Sequence, residues 1–273
     1  MERVWDLAEE GIHDAQKSED GHQQGTPHCR AVEENLAALI PDDWKGTQFT
    51  AIDLFALSAA AALHDAGKAG DSSDDHGHVS MWEVRGRAMT FGLDQGQAEV
   101  MGWIVRAHND GDLEALPSES VPLGTAEVKL RPLAALFKQA DALHTDYRRV
   151  SPQVIEFGGK RAEDDPKIRF RTCIRGWRFD DQGRIELYAV PEDWDDVSVI
   201  HTGFEKTCRE LEPVVPTLKD AGFPWELTLR LDETDLERKA RQEVEAERRI
   251  ERAFVGMAYF IEKRRGPLQR SGR

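Results

Sequence analysis

The chain has 273 residues, 40% of them hydrophobic, and a formal net charge of -15 at pH 7. That length suffices for one large domain or two modest ones with a real core, so no covalent staples are needed, and the acidic balance repels extended phosphate backbones, which disfavours duplex DNA as a partner. The cysteines, Cys29, Cys173 and Cys208, form no CxxC pair, which argues against both a disulfide framework and a thiolate zinc site.

The opening residues, MERVWDLAEEGIHDAQ, carry acids where a signal peptide needs a basic and then an apolar run. No stretch approaches the roughly 18 apolar residues of a membrane span. The expectation is a cytoplasmic protein with no membrane partner.

Gln16 to Gly25 is polar, and Thr26-Pro27 then introduces His28 to Leu39, where Val32, Leu36 and Leu39 recur at helical spacing. This predicts a helix with His28 in its first turn. Residues 50–63, TAIDLFALSAAAAL, are almost continuously apolar and Ala-rich, without the β-branched enrichment of a strand, and predict a buried central helix. It should end at His64-Asp65-Ala66-Gly67, with Gly67 as the C-terminal glycine. After a polar loop, helical patterns resume at about 78–91, 94–108 and 130–147.

Residues 1–150 thus read as a helical domain, and 151–232 as a small α/β accessory unit. In that unit Ile168 to Phe179 alternates apolar with polar residues, Asp180 to Gly183 is a turn, and Arg184 to Val190 is the returning strand of a hairpin. A helix at about 198–221 and a strand from Trp225 to Leu231 follow. Residues 233–273 read as a charged helix to Arg252, with an apolar end at Phe254, Met257, Phe260 and Ile261, and a basic tail. The fold class expected is mainly α: a helical domain, a small α/β unit and a long charged C-terminal helix. Trp177, Phe179, Trp194 and Trp225 are expected in the core.

The residues that carry chemistry are His28, His64-Asp65, His78, His108 and Asp141, nearly all at or near predicted helix ends, where side chains from different helices can converge. Imidazole with carboxylate suits zinc, manganese, iron, cobalt or nickel. His64-Asp65-Ala66-Gly67-Lys68, His78-Val79-Ser80 and Ala140-Asp141-Ala142-Leu143, in this order, resemble the HD superfamily of metal-dependent phosphohydrolases over roughly residues 25–148. The tryptophan-containing hairpin that follows is somewhat similar to HD domains found beside Hsp90-type ATPase modules in bacteria, although no ATPase module is present in this sequence.

The resemblance implies an all-helical fold holding one or two divalent transition-metal ions. His28, His64, Asp65 and Asp141 would hold one, and Asp65 would bridge to a second held by His78 and His108. His76 is the alternative to His78, which is favoured by its phrase and helix-start position. The implied activity is hydrolysis of a phosphomonoester or phosphodiester by a metal-bound hydroxide, with Asp65 and Lys68 as catalytic residues. The expected partner is a nucleotide-like small molecule or a short single-stranded nucleic acid. Lys68, Arg148 and Arg149 are the candidate phosphate-binding residues, against the alternative of solvated side chains. Asn109 follows His108 where the cyclic-dinucleotide branch often has a further histidine, which leaves the second ion one ligand short. His13, His22, His144 and His201 are read as ordinary surface or core residues. A non-catalytic nucleotide or metal sensor and a di-iron oxygenase are the competing functions.

Overall fold

Helix-forming segments dominate the chain, and the computed structural model describes residues 2–11, 25–69, 76–110, 112–150 and 165–245. The helices are α1 (Glu2–Gly11), α2 (Thr26–Leu39), α3 (Ala51–Leu63), α4 (His76–Gly86), α5 (Gln95–Asp110) and α6 (Leu130–Leu143). Among the described residues, no helix is long and apolar enough to cross a membrane. The second half of the charged segment, with Phe254, Met257, Phe260 and Ile261, lies outside the described residues, as do His13 and His22; residues 234–245 are helical.

Helix α3 is the centre of the bundle. Thr50 starts it with a capping box, its hydroxyl accepting from the Asp53 amide while the Asp53 carboxylate accepts from the Thr50 amide. Ala59 to Leu63 are fully buried, and their small side chains let α1, α2, α5 and α6 all pack on this one helix. Phe137 of α6 and Leu63 fill the adjoining core.

Gly67 departs from the sequence expectation. The backbone passes through His64 in right-handed helical geometry into a 3-10 turn, Ala66–Ala69, and Gly67 has no positive φ. It is small for another reason: a Cβ there would lie 2.6 Å from the Ser80 amide nitrogen. Gly77 has the same role on the far side, where a Cβ would lie 2.8 Å from the Arg106 carbonyl oxygen. These two glycines let the first turn of α4 wedge between the end of α3 and the end of α5. Helix α4 therefore begins at His76, two residues before the expected start.

A two-stranded hairpin, β1 (Val121–Leu123) with β2 (Ala126–Val128), joins α5 to α6. The α/β part has helix α7 (Pro166–Cys173), strands β3 (Ile174–Phe179) and β4 (Ile185–Ala189), helices α8 (Trp194–Leu211) and α9 (Val215–Asp220), and strand β5 (Leu227–Leu231). The strand order is β3-β4-β5; β3 and β4 are antiparallel, and β4 and β5 are parallel with Ile185 opposite Leu227. The parallel pair needs a crossover, which α8 and α9 supply. Asp180 accepts from the Gln182 and Arg184 amides and Gly183 has φ +75°, so the hairpin turn is as expected.

Residues 168–173, expected as strand, are helical instead. The Asp165 carboxylate caps the amides of Lys167 and Ile168, and Pro166 occupies the first turn, so a local helix start overrides the alternating pattern. Gly203 of α8 faces the Phe170 ring at closer than van der Waals range for any added Cβ, which seats α7 on α8. Strand β4, α9 and Phe223 share one apolar cluster with the helical bundle. Asn35 bolts the two together: its Nδ2 donates to the Ala140 carbonyl at 2.9 Å and its Oδ1 accepts from Trp177 Nε1 at 2.9 Å. Trp177 and Trp225 pack against the core, whereas Trp194 and Phe179 are exposed (55% and 40%), contrary to expectation, because each faces outward from its element.

Candidate metal centre

Four helix ends deliver imidazoles to one buried point. His28 comes from the first turn of α2, His64 from the end of α3, His76 from the start of α4 and His108 from the last turn of α5. Asp65 adds a carboxylate that is 1% exposed, and Asp141 adds another from the last turn of α6. Two donor sets result, His28 with His64 and Asp65, and Asp65 with His76 and His108; within each set the ligating atoms lie within 4.8 Å of one another.

The distances decide between a hydrogen-bonded cluster and a cation site. His28 Nε2 is 3.1 Å from His64 Nε2, 3.2 Å from Asp141 Oδ1 and 3.6 Å from Asp65 Oδ2. His64 Nε2 is 3.5 Å from Asp65 Oδ1, His108 Nε2 is 3.7 Å from Asp65 Oδ1, and His76 Nε2 is 3.0 Å from His108 Nε2. A divalent ion about 2.1 Å from each donor places neighbouring donors about 3.0 Å apart at right angles and about 3.4 Å apart at tetrahedral angles. The observed spacings fall in and around that range.

Proton positions point the same way. His64 Nδ1 donates to the Ala61 carbonyl at 2.9 Å and His108 Nδ1 donates to the Val105 carbonyl, and a carbonyl can only accept. In the neutral rings the lone pairs are therefore on Nε2, aimed inward, as metal-ligating histidines require. His28 Nδ1 lies 2.7 Å from Nδ1 of His144, which is itself buried, so His144 orients His28 and leaves its Nε2 free to face the centre. The Nε2 atoms of His28 and His64 lie 3.1 Å apart and those of His76 and His108 3.0 Å apart, spacings that a shared proton or a cation between them can bridge. Asp141 Oδ1 is buried and makes no directed hydrogen bond among the described residues, although His28 Nε2 is 3.2 Å away. The donor set and its geometry fit a divalent transition metal.

Burial and charge hold the ligands in the states a metal needs. Burial, then the Arg149 charge, lowers His28 well below the usual imidazole value. Burial, then His64, lowers His108 to about 3, and burial, then Arg149, lowers His144 to about 3. Burial and the Lys68 charge lower His76. For Asp65 burial works upward, but His64, Lys68 and His28 outweigh it and keep the carboxyl well below its ordinary range. Asp141 is held down in the same way, against burial, first by His28. Cys29, buried 3.9 Å from His64, stays a thiol because burial and then Asp65 raise it, so the ligand set has no thiolate.

The structure separates the candidates. His28, His64, Asp65, His108 and Asp141 come together; His78 does not, and stacks on the exposed Trp82 ring instead. Residues two apart on a helix point about 200° apart, so once α4 starts at His76 only one of the pair can face inward. Lys68 Nζ sits 2.9 Å from Asp65 Oδ2. Arg149 reaches the centre, its Nη2 3.4 Å from His28 Nε2, whereas Arg148 turns away to a bidentate pair with Asp146. His201 is exposed.

Sequence reasoning passed over His144 and Lys138. His144 is the residue that closes α6, three past Asp141, and its amide donates to the Asp141 carbonyl. Lys138, three residues before it, donates to the His108 and Asn109 carbonyls and so fixes the end of α5. Spacing around Asp141 was the available signal for both. A surface groove of about 950 Å3 lies elsewhere, lined by Trp44, Phe49, Arg131 and Phe223 among others, and holds none of these donors. No protein-family model matches the chain, and no curated protein matches it.

Proposed function

We propose that the chain is a metal-dependent phosphohydrolase of the HD type, cleaving a phosphomonoester or phosphodiester bond in a nucleotide-like small molecule or a short single-stranded nucleic acid. The observation that carries this reading is one buried carboxylate, Asp65, common to two histidine donor sets. His28, His64, Asp65 and Asp141 would hold one ion, and Asp65, His76 and His108 a second. Bound divalent cations supply a lowered water pKa and charge to stabilise the oxygens of a phosphoryl transfer.

The remaining roles belong to this chain's own side chains. His144 and the carbonyls of Ala61 and Val105 keep the imidazoles in one tautomer and orientation. Arg149, anchored through Nη1 on the His144 carbonyl at 2.9 Å, brings Nη2 to 3.4 Å from His28 Nε2 and would set its positive charge beside a phosphate held at the centre. Lys68 neutralises Asp65 and can turn to an anionic substrate once that carboxylate binds metal. Cations beside the donors favour an anionic ester over the neutral substrates that a di-iron oxygenase could equally take.

The test is phosphate release from a chromogenic phosphodiester and a nucleotide panel with added manganese, cobalt or nickel, for the native chain and Asp65→Ala. Metal-dependent release that Asp65→Ala abolishes together with metal binding supports the proposal. Release at the native rate from metal-free protein overturns it.

A further inference from the structure

The three-stranded sheet turns one face to the helical bundle and the other outward. Residues two apart on a strand share a face, and the register sets Gly176 opposite Tyr188, Tyr188 opposite Arg230 and Arg178 opposite Glu186. Ile185 and Leu187, on the alternate positions, are buried in the bundle's apolar cluster. The outward side carries a depression of about 310 Å3, lined by Arg175, Gly176, Trp177, Arg178, Tyr188 and Arg230. No carboxylate is among these lining residues.

Local structure opens this depression and gathers cations around it. The pairing slips by one residue between Ile174 and Gly176, so Arg175 is the extra residue of a β-bulge, a device that re-aims a side chain. Gly176 follows with φ +144°, a conformation that other residues rarely adopt, and a Cβ there would meet nothing within 4 Å. The space beside Tyr188 is thus held open by a residue with no side chain to fill it. Arg178 Nε donates to Glu186 Oε2 at 2.8 Å, and Arg230 Nη1 lies 4.0 Å from the same oxygen, so two guanidiniums share one carboxylate. Arg175 Nη1 donates to the Thr172 carbonyl at 3.0 Å. The Tyr188 hydroxyl donates to Asp232 Oδ2 at 2.7 Å, which anchors the ring on the sheet, and Asp232 Oδ1 accepts from the Thr234 amide.

We infer that this depression on the outer face of the sheet is a second ligand site, which binds a small phosphorylated molecule carrying a flat ring, the chemistry of a nucleoside monophosphate. Its volume is at the small end of the range for ligand pockets, about 300–1,000 Å3. Guanidiniums take phosphate oxygens in forked pairs, and three of them match the three terminal oxygens of a phosphate monoester better than the two of a carboxylate. The anchored tyrosine ring and the planar guanidiniums offer flat surfaces to an aromatic group. The arginines run against a net charge of -15, so a longer phosphate backbone would meet a repelling surface around them. The site does not depend on the phosphohydrolase reading, because it shares no residue with the metal centre.

The experiment is calorimetric titration of the full chain, freed of metal by chelator so that no turnover occurs, with adenosine monophosphate, adenosine, inorganic phosphate and a short thymidylate oligonucleotide. Adenosine monophosphate should bind at least about tenfold more tightly than adenosine or inorganic phosphate. Arg175→Gln and Arg230→Gln should each remove about tenfold of that affinity, the scale of one charge-assisted hydrogen bond. Both side chains are exposed, so these variants leave the core intact. Lys68→Gln, at the metal centre, should bind as the native chain does, within about twofold. Absence of binding, arginine variants that bind unchanged, or a loss in Lys68→Gln as large as theirs would each overturn the site. Tighter binding of the oligonucleotide would overturn the small-molecule occupant. Failure of the phosphohydrolase reading has a different signature: no phosphate release from any ester, with adenosine monophosphate still bound at the sheet.

Discussion

Replacing His76 or His78 by alanine tests which of these two histidines serves the second donor set. His76 Nε2 stands 3.0 Å from His108 Nε2, in a set that Asp65 completes among the described residues. Removing one of three protein donors should cost more than the 10–100-fold typical of outer-shell changes. The expected loss is above about 100-fold in affinity for the second ion, or roughly 3 kcal/mol. His78 stacks on Trp82 and belongs to neither donor set, so His78→Ala should leave metal affinity within about twofold. Calorimetric titration of the metal-free chain with manganese or cobalt, backed by elemental analysis, reads both variants. Loss of an ion in His78→Ala with full retention in His76→Ala would refute the placement of α4.

Other consequences follow from the same packing. Gly77→Ala brings a methyl group against the Arg106 carbonyl and Asn109, so α4 must shift, at a cost of about 1–3 kcal/mol by urea denaturation, and the second ion should weaken with it. Asn35→Leu strips a partner from both the Ala140 carbonyl and the Trp177 indole, and should lower stability by about 2–4 kcal/mol with no direct loss of a metal donor; an unchanged urea midpoint would contradict this. His108 and His144 are held near 3 against an ordinary 6.5, so below about 6.5 the unfolded chain binds more protons than the folded one. Stability of the metal-free protein should therefore fall as pH drops, by on the order of 4 kcal/mol between pH 7 and pH 5 from these two residues. Equal urea midpoints at pH 7 and 5 would show that the two imidazoles are not held neutral.

The helical half of the fold was legible because its signals are local. The apolar periodicity of α2 and the Ala-rich run of α3 marked those helices, and the His64-Asp65 pair lies where α3 runs out. What escaped depends on contacts distant in sequence. The start of α4 is set by Gly67 and Gly77 fitting against neighbouring backbones, and that shift of two residues exchanges His78 for His76. Residues 168–173 fit the alternating template and the helical one equally well over so short a span, and the Asp165 cap with Pro166 decided it. His144 was indistinguishable from an ordinary core histidine until its ring was found against His28.

The most direct test of the central claim is anomalous diffraction from crystals of the full chain soaked in manganese or cobalt. The account requires a peak among His28, His64, Asp65 and Asp141, and a second, weaker one among Asp65, His76 and His108. Saturating metal with no anomalous density at either place would mean that the buried histidines and aspartates are a hydrogen-bonded core, and that the site holds no ion.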